Sequence, residues 1–157
     1  MSPILFSLSV WLHNLATVIF IGHYLLLSLI YLPALHAIEA ERSGPILSEI
    51  SRRSRVWLYA SLLIFILTGT YLTLADPNYL GFANFGNPWG ILMLIKHTLI
   101  LVMIGLGFWF NAVMRVGPLM KANTGVPIAI ERFRLHCNLM AAAGVLVLLL
   151  TAVAQVQ

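Results

Sequence analysis

Two stretches of the chain, residues 1–38 and 56–75, contain no Asp, Glu, Lys or Arg. Two more, 89–113 and 135–153, hold one formal charge between them, Lys96. Each is close to or above the ~20 residues an α-helix needs to cross the ~30 Å hydrocarbon core of a bilayer, with tilt taking up any excess. Inside hydrocarbon every backbone N–H and C=O must find a partner within the protein, and a helix supplies those partners within one segment. The sequence therefore predicts an all-α integral membrane protein with spans at about 4–32, 56–75, 89–113 and 135–153. The chain is 61% hydrophobic and 9% charged, whereas a soluble domain carries about 25% charged residues. So few charges cannot make a water-facing surface, and lipid is the expected solvent.

The 157 residues form one domain. Punctuation falls between the spans. Pro3 suits a helix start and Pro33 a helix end. Ser43-Gly44-Pro45 reads as a turn inside a polar loop over 39–55, and Asp76-Pro77-Asn78 reads as a stop. The second connection carries Tyr79, Phe82, Phe85 and Trp89, which suit a membrane–water interface. Gly117-Pro118 and Gly125-Val126-Pro127 break the last polar loop, 114–134. The N-terminus lacks a basic region and its apolar stretch is too long for a signal core, so no cleavable signal peptide is expected.

Arg42, Arg52, Arg53 and Arg55 lie in the first loop, Arg115, Lys121, Arg132 and Arg134 in the third, and the second has no basic residue. The positive-inside rule assigns loops one and three to the cytoplasm. Both termini are then outside, periplasmic in a Gram-negative bacterium, and the expected location is the bacterial inner membrane. Short connections favour an up-down-up-down four-helix bundle. Because the basic residues are confined to two loops, the net charge of +4 does not signal nucleic acid. The single cysteine, Cys137, rules out an intrachain disulfide and reads as a small buried residue.

Lys96 and His97 stand side by side about a third of the way into the third span. A charge at such depth costs about 2.5–3.5 kcal/mol, so something must compensate. His13 lies about as far into the first span as His97 does into the third, about 12 Å at 1.5 Å per residue. His23 and His136 form a candidate second pair at the other end, with His36 as an alternative to His23. On a helical wheel His13 and His23 are about 80° apart, close enough for both to face the bundle interior. Gly22, Gly105 and Gly144 leave room near the histidine-bearing faces, or simply let helices approach.

Two imidazoles at equal depth on different helices, in a dry apolar pocket, are what the axial positions of haem b require. The candidate ligands are therefore His13, His97, His23 and His136, for one or two haems. Lys96 is placed to answer a propionate at the first site and Arg134 or Arg132 at the second. The plainer alternatives are interhelical hydrogen bonding for the histidines and snorkelling to the interface for Lys96. Copper is a competing ligand: Met93 and His97, and His136 and Met140, are each four apart on one helix face, and thioether with imidazole suits Cu(I). Methionines at such spacing also serve as ordinary packing. No Gly-rich phosphate loop and no Ser-His-Asp set is present, and four of the five acidic residues lie in the polar loops.

Several short motifs, in order along the chain, resemble the copper-resistance D (CopD) superfamily and its HemJ-type protoporphyrinogen oxidase relatives. Trp11-Leu12-His13, Gly22 and Tyr31-Leu32-Pro33 are similar to the His…Gly…Leu-Pro pattern of both groups. Thr68-Gly69 resembles the Thr-Gly of CopD proteins. Trp89-Gly90-Ile91-Leu92-Met93-Leu94-Ile95-Lys96 resembles their Tyr-Gly-x-Leu-Leu-x-Lys helix entry, followed by Asn111 and Pro118. The HemJ resemblance implies four helices, haem b, and functional roles for His13 and Lys96. The CopD resemblance implies copper uptake or resistance. His23, His97 and His136 are additional to both patterns and direct the reading toward a b-type cytochrome. The expectation is a haem-binding electron-transfer protein, an oxidoreductase if an enzyme at all. Its expected partners are the lipid bilayer and quinone, within a larger membrane redox complex or a homo-oligomer. CopD-like copper transport and HemJ-type oxidation are the alternatives.

Overall fold

The computed structural model describes residues 2–36, 40–81, 84, 86–112 and 126–156. The described residues are helical almost throughout and contain no strand. Helix α1 (Pro3–Leu26) runs through a π-helical turn, Leu27–Tyr31, into α2 (Leu32–His36). Helices α3 (Ala40–Ala75), α4 (Pro88–Ala112) and α5 (Val126–Ala154) follow. Four helical segments are long and apolar enough to cross a membrane: Pro3–Leu35, Ser43–Ala75, Pro88–Trp109 and Ile130–Ala154. This is a four-helix transmembrane fold.

The helices alternate in direction. One cavity is lined by Val10 and Asn14 near the start of α1 and by Trp89 and Met93 at the start of α4. The same cavity is lined by Thr73 and Asp76 at the end of α3 and by Thr151 and Gln155 at the end of α5. Starts of two helices therefore meet ends of the other two, as up-down-up-down topology requires. We call this the terminal end. At the opposite, arginine end, Leu32, Leu35, Leu47 and Phe133 are buried in one cluster that continues to Tyr24, Leu27, Met103, Cys137 and Met140.

Three boundaries differ from the sequence expectation. Pro33 does not end the first helix. In the π turn the Leu32 N–H reaches the Leu27 carbonyl, five residues back. Widening the turn before a proline relieves the clash of its ring with the carbonyl four residues earlier. Ser43-Gly44-Pro45 is not a turn but lies near the start of α3. There Leu47 and Ile50 pack into the cluster with Leu32, Leu35 and Phe133. The opposite face carries Glu49, which accepts hydrogen bonds from Arg52 at 2.6 and 2.8 Å and from Arg53 at 2.6 Å. A helix with one buried stripe and i,i+3 and i,i+4 ion pairs on the other face outweighs a local turn signal. The last helix likewise begins at Val126, nine residues before the expected Leu135. Pro127 sits in its first turn, where its missing N–H costs nothing. The expected stop at Asp76-Pro77-Asn78 is present: α3 ends at Ala75 and Asp76 Oδ1 accepts the Asn78 N–H at 2.9 Å. The Gly117-Pro118 break, Phe82 and Phe85 lie outside the described residues.

Helix α1 is central, packed on both α3 and α5, while α4 packs on α5. The α1–α5 contact is close because Gly144 has no side chain: a Cβ there would lie 2.8 Å from Ile21 Cγ2. Small residues at such crossings let lipid-embedded helices approach to packing distance. Gly144 therefore serves helix packing. Gly144→Leu should lower unfolding stability in micelles by about 1–3 kcal/mol, read by denaturant titration, and Ile21→Ala in the same chain should restore part of it. An unchanged midpoint in the single variant would refute the close contact.

Candidate functional site

The cavity at the terminal end measures about 450 Å³, within the usual range for cofactor and small-molecule sites. It lies where α4 stands off from α1 and α3. His13 on α1 and His97 on α4 both line it, and so do Lys96, Met93 and Asp76. Apolar wall comes from Val10, Phe65, Ile66, Ile100, Leu101 and Ile104, and further polar groups from Asn14, Thr70, Thr73, Thr151 and Gln155. Trp89 is 6% exposed and lines the cavity.

His13 is held from three sides by α3. Its Nδ1 is 2.9 Å from Thr68 Oγ1. Its ring stacks on Phe65 with centroids 4.4 Å apart and planes 26° apart. Its Cε1 occupies space that a Cβ at Gly69 would enter, at 3.2 Å. Phe65, Thr68 and Gly69 are spaced i, i+3, i+4, so one helical face presents all three. The Thr68-Gly69 pair thus seats a histidine, with one residue supplying a hydrogen-bonding partner and the other clearance. His97 is held within its own helix, its Nδ1–H donating to the Met93 carbonyl at 2.7 Å. Both rings are therefore anchored through Nδ1.

The other candidate pair is arranged differently. His136 is 9% exposed and lies in the core between α1 and α5. Its ring meets Tyr24 edge-on at 5.9 Å, and His23 meets the same Tyr24 at 5.3 Å. Tyr24 thus contacts both rings. Met140, 1% exposed, packs in the same core. Arg132 and Arg134 are exposed at the arginine end. The His36 side chain lies outside the described residues, as do those of Asn111 and Pro118. Among the described residues there is no cluster of three or more His, Cys, Asp or Glu side chains that could hold a metal ion. The terminal-end site instead offers two imidazoles, one thioether, one ammonium and one carboxylate, Asp76.

Sequence reasoning located His13, Lys96, His97 and Met93 but missed Phe65, Asp76 and Trp89 as cavity residues. The i, i+3, i+4 spacing of Phe65 with Thr68 and Gly69 was the available signal for the first. Asp76 and Trp89 lie at helix ends, where wheel projections lose their meaning.

No family model, no characterised protein and no solved structure matches the chain. What the fold and the cavity define is a multi-pass, four-helix membrane protein with two histidines from different helices on one cavity.

The stack of His13 on Phe65 should be measurable. A double-mutant cycle with His13→Ala and Phe65→Leu, read by unfolding in micelles, should give a coupling of about 0.5–1.5 kcal/mol, the usual worth of an aromatic pair beyond its burial. Strict additivity would show that the two rings do not interact.

Proposed function

We propose that the chain is a membrane b-type cytochrome of the bacterial cytoplasmic membrane that binds haem b between His13 and His97. The observation that carries this reading is the pair of imidazoles on one cavity, each with its Nδ1 already engaged, so that Nε2 is the nitrogen a ligand would use. Metal-bound histidines characteristically use their second nitrogen for an anchoring hydrogen bond of this kind. The residues fit the group. Apolar side chains make up much of the wall, two imidazole donors come from different helices, and Lys96 would supply a cation for a propionate.

When bound, the haem supplies a one-electron couple. The protein's part is to hold two imidazoles, exclude water with Phe65, Ile66, Ile100 and Ile104, and offset anionic charge with Lys96. The electron partners we propose are quinone in the bilayer and neighbouring subunits of a membrane redox complex. Orientation follows from the arginines: the terminal end faces outward, so the cavity sits in the outer leaflet. One haem is assigned. His23 and His136, both packed on Tyr24, receive no ligand in this reading.

A copper reading draws on one specific observation: Met93 lines the same cavity as His13 and His97, and thioether with imidazole suits Cu(I). The resemblance to CopD proteins points the same way. His13 and Lys96, the positions that the HemJ resemblance singles out, also share this cavity, which keeps protoporphyrinogen oxidation as a third reading.

The purified protein, expressed with ample haem supply, should show a b-type α band in its dithionite-reduced minus oxidised spectrum. His13→Ala and His97→Ala should each abolish it, whereas His23→Ala should not. A colourless protein would refute haem binding. Cu(I) uptake by cells that requires Met93 would then support the copper reading, and rescue of a haem-synthesis mutant the third. Orientation has its own test: single cysteines at Arg55 and Asn78, with buried Cys137 silent, should label from opposite faces, Asn78→Cys from outside.

A further inference from the structure

Thr68 Oγ1 is 2.6 Å from the Ile64 carbonyl oxygen. A carbonyl only accepts, and a threonine hydroxyl has one proton. That proton must point at Ile64, because otherwise two oxygens would face each other at 2.6 Å with no hydrogen between them. The hydroxyl oxygen can then meet His13 Nδ1, 2.9 Å away, only as an acceptor. His13 therefore carries its proton on Nδ1, and its lone pair is on Nε2. The Met93 carbonyl forces the same state on His97. The two rings thus reach one tautomer by different means, His97 through its own helix and His13 through a neighbouring one.

We infer that Thr68 is a positioning residue for the ligand site: by giving its hydroxyl proton to Ile64 it fixes His13 as the Nδ1–H tautomer and presents Nε2 to an iron or copper centre. Thr68 is 8% exposed, so water does not readily compete for the contact. Phe65 and Gly69 hold the ring plane but make no hydrogen bond to it, so they cannot choose the tautomer. Only Thr68 does so. The inference rests on the site proposed above for its use, but the tautomer is a property of the ligand-free chain.

The test uses the full-length chain in nanodiscs, without haem, with 15N-labelled histidine and with His13 signals assigned by their loss in His13→Ala. Wild type and Thr68→Ser should show His13 protonated at Nδ1. Thr68→Val keeps the shape and removes the hydroxyl, and it should show both tautomers. Haem titration should then give Thr68→Val an affinity about 10–100-fold below wild type, the usual effect of losing such a supporting partner. Thr68→Ser should recover most of that loss, which a purely space-filling role for Thr68 would not explain. His13 protonated at Nε2 in wild type, or an unchanged tautomer in Thr68→Val, overturns the inference. If the wild type binds no haem, the functional reading fails, while the nitrogen spectra still decide whether Thr68 sets the tautomer.

Discussion

The close crossing of α1 and α5 is the contact on which the rest of this bundle depends. Helices in lipid gain nothing from hiding apolar surface from one another and associate by packing and hydrogen bonding instead. Gly144 lets Ile21 come into contact where any side chain would hold it off. Around that crossing Tyr24, Leu27, Cys137, Met140 and Ala141 form the tight core. With α1 and α5 joined, α3 lies along α1 and α4 along α5. The two flanking helices are thereby kept apart at the terminal end, and the cavity is the space between them. The same constraint that closes the core therefore leaves the site open.

Much of the fold is legible in the sequence because bilayer thickness and backbone pairing leave few choices. Charge-free stretches of sufficient length have to be helices, and their number defines the bundle. The boundaries are less legible, for a reason visible in three prolines. Pro33, Pro45 and Pro127 are local stop signals, yet all three lie within described helices. Pro127 falls in a first turn, Pro33 follows a widened turn, and Pro45 sits near the start of a helix whose Leu47 is buried against other chain segments. Sequence shows the local cost of a proline but not the distant burial that outweighs it.

The site is partly legible for a similar reason. Depth can be counted along a helix, so His13 and His97 can be matched by position alone. Which helices are neighbours cannot be counted, so the support from α3 stays hidden in the sequence. Thr68-Gly69 reads there as a motif without a partner, and the fold sets a histidine ring against it. The second pair has a neighbour that depth matching could not supply: His23 and His136 each meet Tyr24 edge-on.

The length of α3 has a consequence of a different kind. Its charge-free part, residues 56–75, already spans about 30 Å, yet the helix begins at Ala40. Leu47 therefore sits about 13 Å beyond that segment, and Leu32, Leu35 and Phe133 join it there. These side chains meet at the arginine end of the bundle, well away from the cavity. Packing of α2, α3 and α5 around Leu47 fastens the bundle beside the arginines, while the cavity lies between the helices at the far end.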